Sequence, residues 1–562
     1  MAVRRSGGED LHRPVHNRGM PGPASDNQPP EFAPRDLWAG DAALREAVER
    51  EGGDAFADRL ATYGRLAGGE LYALSFDAHR DRPRLRSHDR FGHRIDRVEF
   101  HPNYHAVMQA AVAHGVAGLS WREPGPGAHV ARAALSYLHY QVEPGSSCPL
   151  TMTHAAVPVL RREPSLSEWA DKAAAPHYDG RDLPMADKRG VTLGMGMTEK
   201  QGGSDVRANT TVATAAGAPG EYALAGHKWF FSAPMSDAFL ITAQAPDGLS
   251  CFLMPRWRPD GSRNAFRLLR LKDKLGDWSN ASSEVEFDGA HALRIGEEGR
   301  GIATIIEMVM LTRLDCMLGS AGLARMALAQ ALHHCRHRRA FGKPLIEQPL
   351  MRNVLADLAI ESEAATAFAM RVAGAVDRAH ADAGEAAFAR IATAIGKFWL
   401  CKRAPTVVAE ALECLGGNGY VDESLLPRLY RQAPLNSIWE GSGNVQCLDV
   451  LRALAREPDT GAVLQRELAS VGGRHHAFDV AFEALLPRLE GREPVEEGQA
   501  RAFVQALALA LQAAVLLRAG SPLADGFCSS RLSGAGRGVF GLLPSDLDLG
   551  KALDRILAGF GP

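Results

Sequence analysis

The change of hydrophobic period along the chain is the strongest constraint on its fold. From about residue 36 to 188 apolar residues return every three or four positions, as in "DAALREAVEREGGDAFADRLATYGRLAGG" and "HAVMQAAVAHGVAGL", the spacing of one face of a helix. From about 189 to 298 the texture changes to short β-like runs, "YALAGHKWFF", "AFLITAQA", "LSCFLMP" and "SSEVEF", divided by Gly, Pro and Asp turns. After "GEEGRG" the helical period resumes over about 302–337, 349–380, 385–415 and 436–455. Four helices of that length predict a bundle, and 562 residues are too many for a single core. The expected architecture is mainly α with a central β domain. It comprises a flexible arm (1–35), an N-terminal helical domain (36–188), a small, mostly antiparallel β domain (189–298), a four-helix bundle (299–455) and a further helical domain (456–562).

Charge and cysteine usage narrow the function classes. Lys and Arg number 63 against 66 Asp and Glu, a net −3 that excludes a wholly basic surface. The last hundred residues carry ten basic and eleven acidic side chains, so that domain is not a basic one either. Arg518, Arg531, Arg537, Lys551 and Arg555 lie outside its acidic "EGREPVEEGQ" segment and are the residues from which a DNA-binding face could be built. The eight cysteines are scattered with no CxxC pair, which fits reduced thiols and no zinc site. The N-terminus lacks the apolar core of a signal peptide, and no charge-free apolar run reaches the roughly 18 residues of a membrane span. A soluble, cytoplasmic protein is expected. The Arg- and His-crowded stretch "AHRDRPRLRSHDRFGHRIDRVEFHPNYH" reads as a solvated loop.

Five stretches can carry chemistry. In "GMGMTEKQGGSDV", Thr198, Ser204 and the Gly202-Gly203 pair would let backbone N–H groups approach a planar or phosphorylated ligand; a tight turn explains the stretch equally well. "HKWFFSA" reads first as a buried strand, though its aromatics and Ser232 could also form a wall against a ring system. In "HHCRHRRAFGKPLIEQP" the arginines at a helix C-terminus either complement the helix dipole or grip a pyrophosphate. Gly416 and Gly417 in "ECLGGNGY" end a helix. In "LNSIWEGSGNVQCL" a single carboxylate, Glu440, stands beside an indole with no cation in the same stretch.

Their order and spacing resemble the acyl-CoA dehydrogenase family from about residue 40 to 455, through "MTEKQGGSD", the aromatic-Ser strand, "RRAFGK", "LGGNGY" and "WEGSGN". "GMGMTEKQGGSDV", "LPRLYR", "NSIWEGSGN" and the extra helical domain resemble its AidB branch of bacterial alkylation-response flavoproteins. The resemblance implies FAD bound between the β domain and the bundle. Met197, Thr198, Gly203 and Ser204 would contact the flavin and its phosphates. Phe230 and Phe231 would lie along the isoalloxazine, with Ser232 near N5. Arg338 and Phe341, supplied across a subunit interface, would hold the pyrophosphate and adenosine, and Gly416, Gly417 and Asn444 would complete the bed. It further implies a homotetramer, an acyl-CoA substrate, an electron-transfer flavoprotein as acceptor, and, for the AidB branch, duplex DNA as an alternative partner.

Glu440 stands where most of the family keeps the base that removes the α-proton. The isovaleryl branch carries that base instead on the first bundle helix, where this chain has Thr312 before Arg313. Three positions depart from the family pattern: Glu413 replaces a Gln, Gln348 stands one place early, and Trp278 replaces an Arg near the substrate entrance.

Overall fold

The first strands stand where the charges suggested a solvated loop. In the computed structural model, which describes residues 27–534 and 538–559, β1 (Arg84–His88) and β2 (Arg94–Glu99) form an antiparallel hairpin. Its arginines face water, while Leu85 and Val98 turn onto the core of the β domain. Helices fill the rest of this N-terminal part. Two of them, α1 (Ala128–Tyr140) and α2 (Pro144–Leu160), are almost wholly buried.

The β domain contains β3 (Leu193–Gly196), β4 (Val212–Ala215), β5 (Glu221–Ser232), β6 (Ala238–Ala245), β7 (Gly248–Pro255), β8 (Phe266–Leu271) and β9 (Ser282–Ile295). Strand order is β3-β6-β4-β5-β9-β7, and β7 pairs back onto β6, so the sheet closes on itself. The closed ring is β6-β4-β5-β9-β7, with β3 attached to β6 and β8 to β9 outside it, and closure leaves no open edge within the ring. Most pairs are antiparallel; β6 runs parallel to β3 and β4. Phe231, Phe239, Phe252, Phe266 and Phe287 fill the interior.

Three long helices follow, α3 (Gly301–His337), α4 (Pro349–Arg378) and α5 (Ala383–Cys414). The helix expected from 436 begins only at Gly443, as α6 (Gly443–Arg456), after a short helical turn at Leu435–Ser437. Glu440 (φ 57°) and Gly441 (φ 94°) cause the delay, since a left-handed backbone cannot continue a right-handed helix. Asp315 of α3 is buried against Arg132 of α1 and Thr151 of α2, fixing the bundle to the N-terminal helices.

Helix α7 (Ala500–Ala519) is long and apolar enough to cross a membrane by length and composition, yet 67% of that span is buried in the fold. It packs against α4, α5 and α6. Arginines of the C-terminal region pair with carboxylates. Arg531 bonds Asp357 (2.5 Å) and Glu361 (3.0 Å), Arg555 bonds Glu46 (2.7 Å) and Glu363 (2.6 Å), and Arg518 bonds Glu467 (2.8 Å). Three of the five cations expected to offer a DNA face are therefore engaged within the chain. Arg537 lies outside the described residues, and Lys551 is exposed.

The N-terminal arm is not free over its described part. The Asn27 carbonyl accepts from Arg338 (2.9 Å) and its side chain from the Arg339 N–H (2.9 Å). The Pro30 carbonyl bonds His333, and Gln28 accepts from Asn418. Residues 1–26 lie outside the described residues. All eight cysteines are free and buried.

Candidate active site

Glu440 projects from the left-handed turn that precedes α6. Its partly buried carboxylate accepts a hydrogen bond from the Thr312 hydroxyl of α3 (2.7 Å). Loss of hydration pushes its pKa above the usual carboxylate range, opposed by the Thr312 hydrogen bond and by the charges of Arg313 and Lys397. The two cations do not clasp the carboxylate. Arg313 Nε donates to the Glu440 carbonyl (2.9 Å), and Lys397 Nζ donates to the carbonyls of Trp439 (2.7 Å) and Gly441. The result is a carboxylate whose backbone is held firmly and whose charge has no direct cationic partner among the described residues.

Positions 312 and 440, the two that the resemblance marks as candidates for a base, are thus in hydrogen-bond contact here. Trp439, Leu311, Met197 and Met235 all pack against one hydrophobic cluster that includes Met308, Val309 and Ala233. That apolar cluster joins the turn of Glu440 to the mouth of the β domain.

On the β-domain side, the loop after β3 is fastened from beneath. Glu199 accepts from the N–H groups of Thr210 (2.7 Å) and Thr211 (3.2 Å) and from Lys228 Nζ (2.7 Å). Burial raises the Glu199 carboxyl, but the hydrogen bonds from Lys228 and Thr211 outweigh it and hold it at about 2. Lys228 also donates to the Thr242 carbonyl (2.8 Å), and burial pulls its ammonium down to about 8. With its underside anchored, the loop leaves Gly203 and Ser204 exposed and Met197 and Thr198 half-buried. Gly203 approaches the Thr198 side chain so closely that a Cβ would lie 2.8 Å from its hydroxyl.

Strand β5 separates the aromatics expected to act together. Phe230 is 53% exposed, with Lys272 Nζ 4.5 Å from its ring centre and 3.6 Å from that of Trp229. Phe231 is fully buried against Phe239 (4.5 Å). Only Phe230 is offered to a ligand, and the expectation that both rings line one is corrected for Phe231. Successive strand residues face opposite sides, and a bulge between Lys228 and Phe231 sets which one turns inward. Ser232 is half-buried and pairs with Ser282 of β9.

Beside that pair, Lys272, Lys274, Trp278, Asn280 and Ser282 line a cavity of about 180 Å³. The Trp278 indole is stacked on His79 (4.8 Å) and lies under Arg82 (3.8 Å) and Arg431 (4.4 Å). Where the resemblance implies an arginine, the chain has this tryptophan, and neighbouring arginines crowd onto its ring.

The remaining expected ligands are elsewhere in the chain. Arg338 follows Thr312 by 26 residues, about 39 Å along α3 at the helical rise. Phe341 beyond it is 98% exposed. Gly416 (φ 58°) and Gly417 are exposed, with open space where a Cβ would stand. Cys414 lies against Cys335, which places the Gly416 turn at the Arg338 end of α3. Asn444 instead opens α6 beside Glu440, where Arg501 reaches its side chain (3.4 Å). One chain therefore brings Met197 and Trp439, the neighbour of Glu440, to one apolar cluster, and sets Arg338, Phe341, Gly416 and Gly417 at the far end of α3. Glu413 is exposed and its carbonyl accepts from the Gly416 N–H (2.9 Å), while Gln348 donates to the Ala340 carbonyl (2.8 Å).

Residues 194–290 match the acyl-CoA dehydrogenase middle domain and 299–455 the acyl-CoA dehydrogenase C-terminal domain. The chain belongs to the acyl-CoA dehydrogenase family. Within the family it stands in the AidB-like branch: residues 27–180 match the adaptive response protein AidB N-terminal domain. It is 48% identical to "Putative acyl-CoA dehydrogenase AidB" of Escherichia coli (strain K12), over 91% of this chain and 94% of that one. Acyl-CoA dehydrogenase family member 11 of Caenorhabditis elegans is 31% identical over 70% of this chain and 66% of that protein. The crystal structure of C. elegans ACDH-11 in complex with C11-CoA superposes with a TM-score of 0.83 at 25% identity, covering 99% of this chain and 98% of that one.

Thr312, Arg313 and Lys397 complete the surroundings of Glu440, and none of them was assigned a contact there from sequence. Lys397 left a trace, a lone lysine in the apolar run "IATAIGKFWLC", which a solvated helix face would not produce.

Proposed function

We propose that the protein is an FAD-dependent acyl-CoA dehydrogenase that desaturates an acyl-CoA thioester between its α and β carbons. The observation that carries this is Glu440, a carboxylate with raised pKa in an apolar, Trp-lined turn facing the β domain. The residues fit the cofactor: Phe230 presents an exposed ring, the 197–204 loop presents exposed backbone, and Gly416 and Gly417 leave room for close approach.

FAD, when bound, supplies the acceptor for the hydride leaving the β-carbon. Glu440 takes the α-proton onto its carboxylate, and desolvation makes it a stronger base than an exposed glutamate. Thr312 orients the carboxylate through its hydroxyl. Trp439 and its apolar neighbours keep water from that side of the reacting carbons. Met197, Thr198, Gly203, Ser204, Phe230, Ser232 and Asn444 would hold the flavin end. Arg338, Phe341, Gly416 and Gly417 would serve the adenosine end of a neighbouring subunit's cofactor. The 39 Å separation along α3 and the fully projecting Phe341 support that division and a homotetramer. Eight buried free thiols support a reducing, cytoplasmic setting. An electron-transfer flavoprotein fits as the onward acceptor. Duplex DNA is the alternative partner, and the ion pairing of Arg518, Arg531 and Arg555 disfavours it.

The test is anaerobic titration of the purified yellow protein with straight and branched acyl-CoAs, followed in the visible spectrum. Bleaching by at least one thioester is expected, and Glu440→Gln should stay yellow without bleaching. A protein that takes up no flavin, or a Glu440→Gln variant that bleaches like the parent, would overturn the reading.

A further inference from the structure

Glu440 is one of six described non-glycine residues with a positive φ, and Gly441 follows it at φ 94°. A residue bearing a Cβ rests in that region only where its surroundings hold it there. Here they do so through three consecutive carbonyls. Those of Trp439 and Gly441 accept from Lys397 Nζ, that of Glu440 accepts from Arg313 Nε (2.9 Å), and Gln446 Nε2 bridges the carbonyls of Glu440 (3.2 Å) and Gly441 (3.0 Å).

The two cations differ in how their charge is met. Arg313 pairs with Asp449 (3.2 Å), which also receives Arg390 (2.9 Å). Lys397 is 1% exposed in the middle of α5 and forms no ion pair among the described residues. A buried ammonium without a counter-charge is costly. The other titratable groups around Glu440 are the thiols of Cys148 on α2 and Cys316 on α3, with Cys401 on α5 beside Cys316; burial keeps all three protonated. Glu440 is in electrostatic reach of Lys397, and Asp315, the other carboxylate acting on Cys316, is paired with Arg132.

We propose that Lys397 is a positioning residue for Glu440: its ammonium locks the left-handed turn through the Trp439 and Gly441 carbonyls and balances the carboxylate's charge through space. Lys397 thus sets both where the base points and how readily it carries a proton. The inference rests on the reading of Glu440 as the base, but its test does not.

The experiment is infrared titration of the Glu440 carboxyl in ¹³C-labelled protein without acyl-CoA, the band being identified by its absence in Glu440→Gln. Lys397→Met should move the titration midpoint up by about one pH unit, tenfold in proton affinity, the shift an opposite charge at this range produces. Lys397→Arg should restore most of it. Lys397→Gln keeps a donor for one carbonyl without the charge, so it should fold and still shift the midpoint. In turnover, the acid limb of kcat should move with the midpoint. An unchanged midpoint in the Met and Gln variants would overturn the proposal, whereas turnover surviving Glu440→Gln would overturn the base assignment and leave the titration result standing.

Discussion

Replacing Arg531 with leucine removes one guanidinium that, with Arg555, joins the C-terminal region to α4. Two buried carboxylates lose it, and they are left in different circumstances. Glu361 keeps Arg403, whose Nε lies 2.9 Å from one oxygen and whose second nitrogen lies 3.2 Å from the other. Asp357, 1% exposed, keeps only the N–H of Gly541 at 2.9 Å among the described residues. Stripping one partner from a buried ion pair costs about 3–5 kcal/mol. Because Glu361 remains paired, the lower end applies, about 3 kcal/mol, or roughly 150-fold in an opening equilibrium. Native-state hydrogen exchange reads this directly: the slow amides of α7 and of residues 524–532 should exchange about 150-fold faster if the region opens as a unit. Arg531→Leu combined with Asp357→Asn should recover most of the loss, since no buried charge is then left alone. An Arg531→Leu variant whose exchange changes less than about fivefold, roughly 1 kcal/mol, would refute the assignment of Arg531 as a clamp and reopen its use on phosphates.

Phe231→Ala should destabilise the β domain by about 3–5 kcal/mol, as a core aromatic does. Phe230→Ala should leave urea stability within about 0.5 kcal/mol, as exposed substitutions do, and instead weaken flavin retention on dilution. Burial pushes the Glu361 carboxyl up, but Arg403 and Arg531 outweigh it and hold the group at about 2, below its ordinary 4.5. A depressed carboxylate contributes stability that is present above its unfolded pKa and lost as pH falls through the folded one. Hydrogen exchange in α7 should therefore accelerate between about pH 4.5 and 2, less steeply in Arg531→Leu, where part of the depression is already gone.

Periodicity made the layering legible, because helices and strands bury their faces at 3.6 and 2.0 residues and the chain changes from one to the other and back. It failed where a single backbone state overrides the pattern. The run after 436 keeps helical spacing, yet Glu440 and Gly441 turn left-handed and postpone the helix to Gly443. Charge hid the hairpin of residues 84–99: its arginines alternate with Leu85, Ile95 and Val98, but their number reads as solvation. In β5 the bulge after Lys228 set which phenylalanine turns inward, and no local pattern in "KWFFS" announces a bulge. Within the site, Glu440 stood out as a lone carboxylate, whereas the groups that hold it come from residues 312, 313 and 397. Contacts across such sequence distances leave no spacing to read. Composition also hid the docking of the described part of the arm: Pro- and Gly-rich sequence signals a segment unable to build its own core, and says nothing about its docking on a helix end elsewhere in the chain, as Asn27 does at Arg338.

The eight buried, unpaired cysteines give the native protein a silent thiol background. A maleimide dye should pass over the folded chain and react only as it opens, so the rate of labelling becomes a clock for unfolding. The same silence means that one cysteine placed at the projecting position of Phe341 would be the sole reactive sulfur on the surface of the described residues. A spin label there would test the proposed homotetramer, by whether it reports a spacing to a second label, without any native thiol being removed.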